Sequence, residues 1–579
     1  MLLAPMVGVM DTCVLRSARD PGLQQAALHN SCTGKQGSAA ELLEETLAPL
    51  AAKDQSATSS WRLGYTLPVP LLQMFKAEGD QWRIDADRVQ RVARTVQDSP
   101  RPLILYLFST HFATHAPLEV ALSKDPANLA QTRDGALPID EYYGAPIYPW
   151  SMAHTETPIT QRREEASRAV LDALCRLPTA DRRKVEGITL LGELHHLFPD
   201  FQAGMGFTPP YRVTDYSPAS RQGFQQYLQR QFGSIAQLNR VLGADYARFE
   251  DVQPPARDIR AEPLQRYTEH MDSFAHGVLP VAGWAHVADA PGIPVPWVHI
   301  YRNGIFQGKT RVNQGRQDVL QAKPELGNAN TGWRLDLDFR LWPTGLHRLD
   351  LFLEATPGRL TAIGARDVAI MDRRQSTPVL APQSPLPAAA NAHATWEAHI
   401  DLPAQHAALY YNPLASWWHA YRGQQITRYL QHFDALVQGT CFQATPRYTH
   451  QIIPFANPSW DAQKFAIADS LRPMGSLRLG VSLYGDASYG PGFQQWLRSS
   501  GHVSYGVTEF HPLKAMDRAE LQTVLEGHAR HGAQFLSFFV EPAWQGERLE
   551  RTFNPFAFDP HNHEHGSQDL YEAAKGLAH

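Results

Sequence analysis

From residue 59 onward the chain alternates between two hydrophobic patterns. Apolar runs with little polar interruption, WRLGYTLPVPLLQMF (61–75), RPLILYLFSTHF (101–112) and KVEGITLLGEL (184–194), read as strands buried on both faces. Between them, apolar residues recur at helical spacing in DADRVQRVARTVQD (85–98), whose start Asp85 can cap, and in ITQRREEASRAVLDALCRL (159–177). A strand–helix–strand rhythm of this kind builds a parallel sheet, open or closed.

The rhythm stops near residue 275. WVHIYRNGIFQGK (297–309) is two alternating strands around Asn303-Gly304, a strong hairpin signal. GWRLDLDFRLWPTGLHRLDLFLEA (332–355) and LTAIGARDVAIM (360–371) add further period-two strands, so residues 275–375 predict a β-sandwich. A Pro- and Ala-rich linker, 376–394, follows. The α/β pattern then resumes over 395–579. It shows a long helix at ASWWHAYRGQQITRYLQHFDALVQ (415–438), strands at HQIIPFAN, SLRLGVSLYG, GHVSYGVTEF and AQFLSFFVEP, and helices at 517–532 and 567–578. Residues 1–58 read as a peripheral segment. The simplest architecture is α/β: a (β/α)8 barrel, in parts 59–274 and 395–579, split by an inserted all-β sandwich.

At 579 residues the chain exceeds one ordinary domain. The net charge of −5 argues against a nucleic-acid partner, which favours a basic face. No apolar run is long enough to span a membrane. The apolar start, MLLAPMVGVMDTCVL, lacks a basic region and makes a poor signal peptide. The expected compartment is periplasmic or extracellular if a leader was removed, and otherwise cytoplasmic. Four cysteines, Cys13, Cys32, Cys175 and Cys441, include no CxxC pair; a Cys13–Cys32 disulfide is open. HNHEHG (561–566) gathers His561, His563, Glu564 and His565 without the helical spacing of a zinc motif, so no metal or other cofactor is expected.

In a (β/α)8 barrel, catalytic groups stand at the C-terminal ends of strands. Glu193, Glu509 and Glu541 each directly follow an apolar run. A charge there is unfavourable unless paired or functional. Two facing carboxylates suit glycoside hydrolysis: one protonates the leaving oxygen, and the other attacks the anomeric carbon or activates water. His111, His195, His196, Asn457, Trp460, Glu541 and Trp544 lie near strand ends and are candidates to bind substrate, with His115, Trp417 and Trp418 as neighbours. For each aromatic, core packing competes with sugar stacking. For His195 and His196 the competitor is a structural histidine.

YSPASRQGFQQYLQRQFGSIAQLNRVLGADYARFEDVQPP (216–255) resembles the segment after the acid/base glutamate in family 42 beta-galactosidases and related clan A glycoside hydrolases. Phe224, Tyr227, Leu228, Phe232, Gly233, Leu238, Asn239 and Gly243 keep its pattern. The resemblance implies a (β/α)8 barrel with Glu193 as acid/base after strand 4 and Glu509 as nucleophile after strand 7. The intervening chain, less the inserted stretch, is long enough for three strand–helix units. Clan A enzymes carry Asn just before the acid/base; here Gly192 stands there. GEL followed by a Pro-containing loop instead resembles family 14 beta-amylases, which invert. The inserted stretch resembles an Ig-like module attached to bacterial carbohydrate enzymes.

The expected function is a glycoside hydrolase acting on an oligo- or polysaccharide with a retaining two-glutamate mechanism. An inverting enzyme with the same pair, a non-catalytic glycan-binding barrel and a metal hydrolase are the alternatives. The expected partner is a carbohydrate, and a homo-oligomer is left open.

Overall fold

The computed structural model describes residues 1–579 apart from 18–25, 52–60, 111–115, 143–144, 200–210, 288–294, 391–395, 454–460, 550–553 and 579. The candidates His111, His115, Asn457 and Trp460 lie outside the described residues.

Most of the apolar runs become strands: Tyr65–Pro70, Leu103–Phe108, Val185–Leu191, Leu477–Tyr484, Tyr505–His511 and Ala533–Leu536. They belong to one eleven-stranded sheet, parallel throughout. The order is curled. Leu2–Leu3 and Met6–Val7 bond to 62–66 on one side and to 535–540 on the other. Residues 2–7, which the sequence pattern puts in a peripheral segment, are thus part of the sheet. Their signal is weak because Ala4-Pro5 divides one short apolar run into two pieces of two residues. In the region read as HQIIPFAN, the paired strand is Arg447–Tyr448, just upstream, and Gln451 bridges to Val481.

Side chains fill the inside of the curl. Leu2, Ala4, Ile104, Tyr448 and Phe535 form an apolar cluster of their own. Large residues there need small ones opposite. A methyl group on Gly506 would stand 2.2 Å from the Phe535 ring, and one on Gly187 would stand 3.1 Å from Tyr448. Above this cluster the interior turns polar, with Thr66 and Ser537 hydrogen-bonded at 2.5 Å.

Helices follow the strands and cover the sheet. Asp85 caps Ala86–Asp98 by accepting from the backbone of Asp87 and Arg88. Thr157 caps Pro158–Cys175, and Asn412 caps Pro413–Gln438. The segment that carries the family 42 pattern forms the helices Pro218–Phe232 and Ile235–Leu242. Its pattern residues are largely packing residues. Phe224, Leu228 and Leu238 are buried with Trp418 and Tyr421 of the long helix. The Asn239 side chain both donates to and accepts from the Tyr246 backbone.

Between these parts lie two further sheets of three and five strands, covering 278–409. They share one apolar cluster around Val298, Ile300, Trp333, Leu349 and Leu351. Asn303 and Gly304 both have positive φ, as a tight hairpin turn requires. Trp396–Ile400 and Ala407–Leu409 also pair into these sheets, beyond the linker at which sequence alone ends the all-β stretch. They are short and follow a Pro-rich run, so periodicity barely marks them.

All four cysteines are paired, as Cys13–Cys32 and Cys175–Cys441. The second bridge ties the end of Pro158–Cys175 to the chain just past Pro413–Gln438, across 266 residues. It therefore closes a loop that contains both smaller sheets. Replacing Cys175 and Cys441 together by Ser is expected to lower stability by about 2–5 kcal/mol, read by thermal melting without reductant. An unchanged melting temperature would contradict a clamping role.

Candidate active site

Glu193 reaches its position through a sharp turn. Its strand ends at Leu191 with φ +62°, and Gly192 follows at φ +94°. Two successive left-handed residues break the strand direction. For Leu191, a bulky non-glycine residue, this conformation is strained, and such strain clusters at functional sites. Gly192 is required on two counts. Its φ disfavours any side chain, and a methyl there would stand 2.0 Å from Thr110 Cγ2 and 2.4 Å from the Tyr106 hydroxyl.

Glu509 comes from the Tyr505–His511 strand and lies opposite Ser482 in register. Its side chain is 17% exposed. Two neighbours hold it. The Tyr484 hydroxyl donates to Oε2 at 2.6 Å, and His450 Nε2 lies 3.1 Å from Oε1. That contact requires the proton on Nε2, because a carboxylate can only accept. The His450 ring lies against Tyr106, with centroids 4.6 Å apart.

Glu193 and Glu509 face each other. One donor atom from each, together with one from His450, all lie within 4.8 Å of one another. Like charges this close in a partly dry site cannot both be retained easily. The Glu193 carboxyl is accordingly pushed up to about 8, mainly by burial and next by the Glu509 charge. Ser482 opposes both, but its hydroxyl hydrogen-bonds to no described residue, so it acts as a nearby dipole rather than through a well-made bond. Glu193 thus carries its proton at neutral pH, beside a carboxylate fixed by two donors. The arrangement can deliver a proton on one side of a bond and a carboxylate on the other.

Among the described residues, Glu193, His450 and Glu509 are also the one group whose donor atoms converge closely enough to share a metal ion. Metal-bound histidines usually have their second ring nitrogen held by a carboxylate or carbonyl. His450 Nδ1 is buried with no hydrogen-bond partner among the described residues. The donor set therefore fits proton chemistry better than a resident metal. His561, His563, Glu564 and His565 lie exposed on the surface and do not converge in this way.

The other candidates are placed as follows. His195 and His196 are buried, 3% and 1% exposed. The His195 ring meets Phe465 edge-on, and burial lowers it to about 4. His196 donates its backbone N–H to Phe465 O and lies beside the buried Arg422, whose charge, with burial, keeps the ring neutral. Both therefore anchor the 461–467 loop. Glu541 is buried and accepts from the Asn554 backbone at 3.1 Å. Trp544 is buried within the main apolar core, and Trp418 lies in the second. Trp417 is half-buried, edge-on to Phe232. Sequence reading missed His450, Tyr484, Ser482 and Tyr106. Tyr106, Ser482 and Tyr484 lie late in buried strands and His450 just past one, which is a weaker signal than a carboxylate because such residues are common in cores.

No protein-family model matches the chain, and no curated protein matches it. Among solved structures it is similar to the catalytic domain of beta-amylase from Paenibacillus polymyxa, at 10% identity and TM-score 0.46, covering 99% of each chain. It is also similar to a polyextremophilic beta-galactosidase from the Antarctic haloarchaeon Halorubrum lacusprofundi, at 11% identity and TM-score 0.39, covering 85% of this chain and 50% of that one. A third is an exo-beta-agarase, at 10% identity and TM-score 0.31, covering 85% and 45%. The chain thus spans about half the length of the last two. The chemistry of the site, not these likenesses, carries the functional reading.

The raised Glu193 carboxyl has a consequence for stability. In the unfolded chain it ionises near its ordinary value of 4.5, whereas folded it keeps its proton to about 8. Between those values the folded state holds one proton more, so its contribution to stability is complete below 4.5 and is lost as pH rises toward 8. Glu193→Gln removes this loss. Relative to the parent, the variant is expected to melt at a higher temperature at pH 8, with the gap closing toward pH 4.5. Melting curves with the same gap at both pH values would contradict the raised carboxyl.

Proposed function

We propose that the chain is a glycoside hydrolase in which Glu193 is the acid/base and Glu509 the nucleophile. The observation that carries this is the pair itself: two carboxyl groups with oxygens within 4.8 Å, one of them holding its proton up to about 8. Hydrolysis of a glycosidic bond needs a proton donor beside the leaving oxygen and a carboxylate beside the anomeric carbon. Carboxyl groups about 5–5.5 Å apart suit direct attack and retention, whereas about 6.5–9.5 Å leaves room for the water of an inverting enzyme. An oxygen-to-oxygen approach within 4.8 Å is compatible with direct attack, and retention is the first reading.

In this reading Glu509 attacks the anomeric carbon as Glu193 passes its proton to the departing oxygen. The Glu509 charge is consumed in the glycosyl ester, so the part of the push on Glu193 that came from this charge, beyond that of burial, disappears as Glu193 becomes anionic. Glu193 is then a base able to take a proton from water, which opens the ester. Tyr484 and His450 keep Glu509 oriented throughout.

The curled sheet with its covering helices is, in the same reading, a (β/α)8 barrel with parts 59–274 and 395–579, now including residues 2–7. The two smaller sheets are an inserted Ig-like unit, and the substrate is an oligo- or polysaccharide. An inverting enzyme with the same pair is the second reading, favoured by Gly192 and the GEL stretch.

Glu193→Gln and Glu509→Gln are each expected to lower turnover by about 10²–10⁴-fold or more on a 4-nitrophenyl glycoside that the parent cleaves, with circular dichroism unchanged. Near-parental activity in either would overturn its role. In the parent, activity is expected to fall as pH rises through about 8, where Glu193 loses its proton. A rate still rising past pH 9 would contradict an acid role. Proton NMR of the first-formed product decides between retention and inversion.

A further inference from the structure

Tyr106 is the least explained group in the site. It lies on the Leu103–Phe108 strand, two residues beyond Ile104 of the interior apolar cluster. Its ring is fixed on one side by His450 at 4.6 Å and edge-on by Phe108 at 5.3 Å. Its hydroxyl lies 2.4 Å from where a methyl on Gly192 would be, and so against the backbone that delivers Glu193. Both Glu509 and Glu193 act electrostatically on it, which places it near both carboxylates.

Buried tyrosine hydroxyls usually find a partner. Tyr484 donates to Glu509, and Tyr211 donates to Asp461 at 2.7 Å. The Tyr106 hydroxyl hydrogen-bonds to no described residue, and it is not among the sealed, unpartnered oxygens of the core. Burial and the two carboxylates keep its proton on. It is therefore a fixed donor with no acceptor among the described residues, beside the groups that would flank a scissile bond.

We propose that Tyr106 contacts the substrate, donating a hydrogen bond to the sugar hydroxyl next to the anomeric carbon. This rests on the glycoside hydrolase reading and names a further group for it. If Glu193 serves the leaving oxygen and Glu509 the anomeric carbon, the hydroxyl on the adjacent ring carbon is the oxygen nearest a donor placed beside both. A hydrogen bond there strengthens as positive charge develops on the ring in the transition state. It also gives Gly192 a second function. Any side chain at that position would occupy the place of the Tyr106 hydroxyl.

The test uses the full chain, Tyr106→Phe, and two substrates: the 4-nitrophenyl glycoside that the parent turns over fastest, and its analogue lacking the hydroxyl next to the anomeric carbon. The variant is expected to lose roughly 10- to 100-fold in kcat/KM on the first substrate, mostly in kcat, and less than about 3-fold on the deoxy analogue. An equal loss on both substrates, or none on the first, would overturn the assignment while leaving the two glutamates in place. A parent that cleaves no glycoside removes the underlying reading and this contact with it. Should Tyr106→Phe fold poorly, the parent alone decides. It must disfavour the deoxy analogue by at least the same factor, and an equal preference overturns the proposal.

Discussion

Two carboxyl groups that cannot comfortably both be charged set the terms for this structure. Glu193 and Glu509 are brought within 4.8 Å at the polar end of a packed interior. Both are only partly exposed, so screening is weakened; burial and the Glu509 charge keep one proton on Glu193, and the Glu509 oxygens are taken up by Tyr484 and His450. The rest of the architecture can be read as what is needed to hold that repulsion in place. The strain at Leu191 and the bare backbone of Gly192 deliver one carboxylate. A strand whose register shifts between Val507 and Glu509, skipping Thr508, delivers the other opposite Ser482.

Holding two such groups demands a stiff floor. Below the site, Tyr448 and Phe535 fill the inside of the curled sheet, and Gly187 and Gly506 leave room for them. Side chains packed at this density transmit little freedom upward. The loops above the sheet are tied to one another. His196 and Arg422 bond the 461–467 region, and the Cys175–Cys441 bridge secures the helices behind it. The polar groups near the mouth thus divide into those that face the carboxylates and those that brace the loops, and sequence position alone does not separate the two.

That division explains what could be read from the sequence. The long apolar runs, the capped helices and the Asn303-Gly304 hairpin are local signals, and the structure follows them. Glu193 and Glu509 were legible because a carboxylate ending a buried strand is conspicuous on energetic grounds. Residues 2–7 were not, because two strands of two residues have no period to detect. Tyr106 and Tyr484 come from two different strands and His450 from the chain just past Arg447–Tyr448, so they meet only in the folded sheet. No spacing in the chain announces them. The 216–255 pattern was visible for another reason: Phe224, Leu228 and Leu238 are a packing surface for Trp418 and Tyr421. His195 and His196, beside Glu193 in sequence, are buried against Phe465.

The most direct test of the account is the titration of Glu193 itself, followed by ¹³C NMR of labelled glutamate side chains in the parent and in Glu509→Gln. The account predicts a carboxyl titrating near 8 in the parent and distinctly lower once the Glu509 charge is gone. A Glu193 that titrates near 4.5 in both proteins would mean that the two carboxylates do not share one proton, and the acid–nucleophile pair would fall with it.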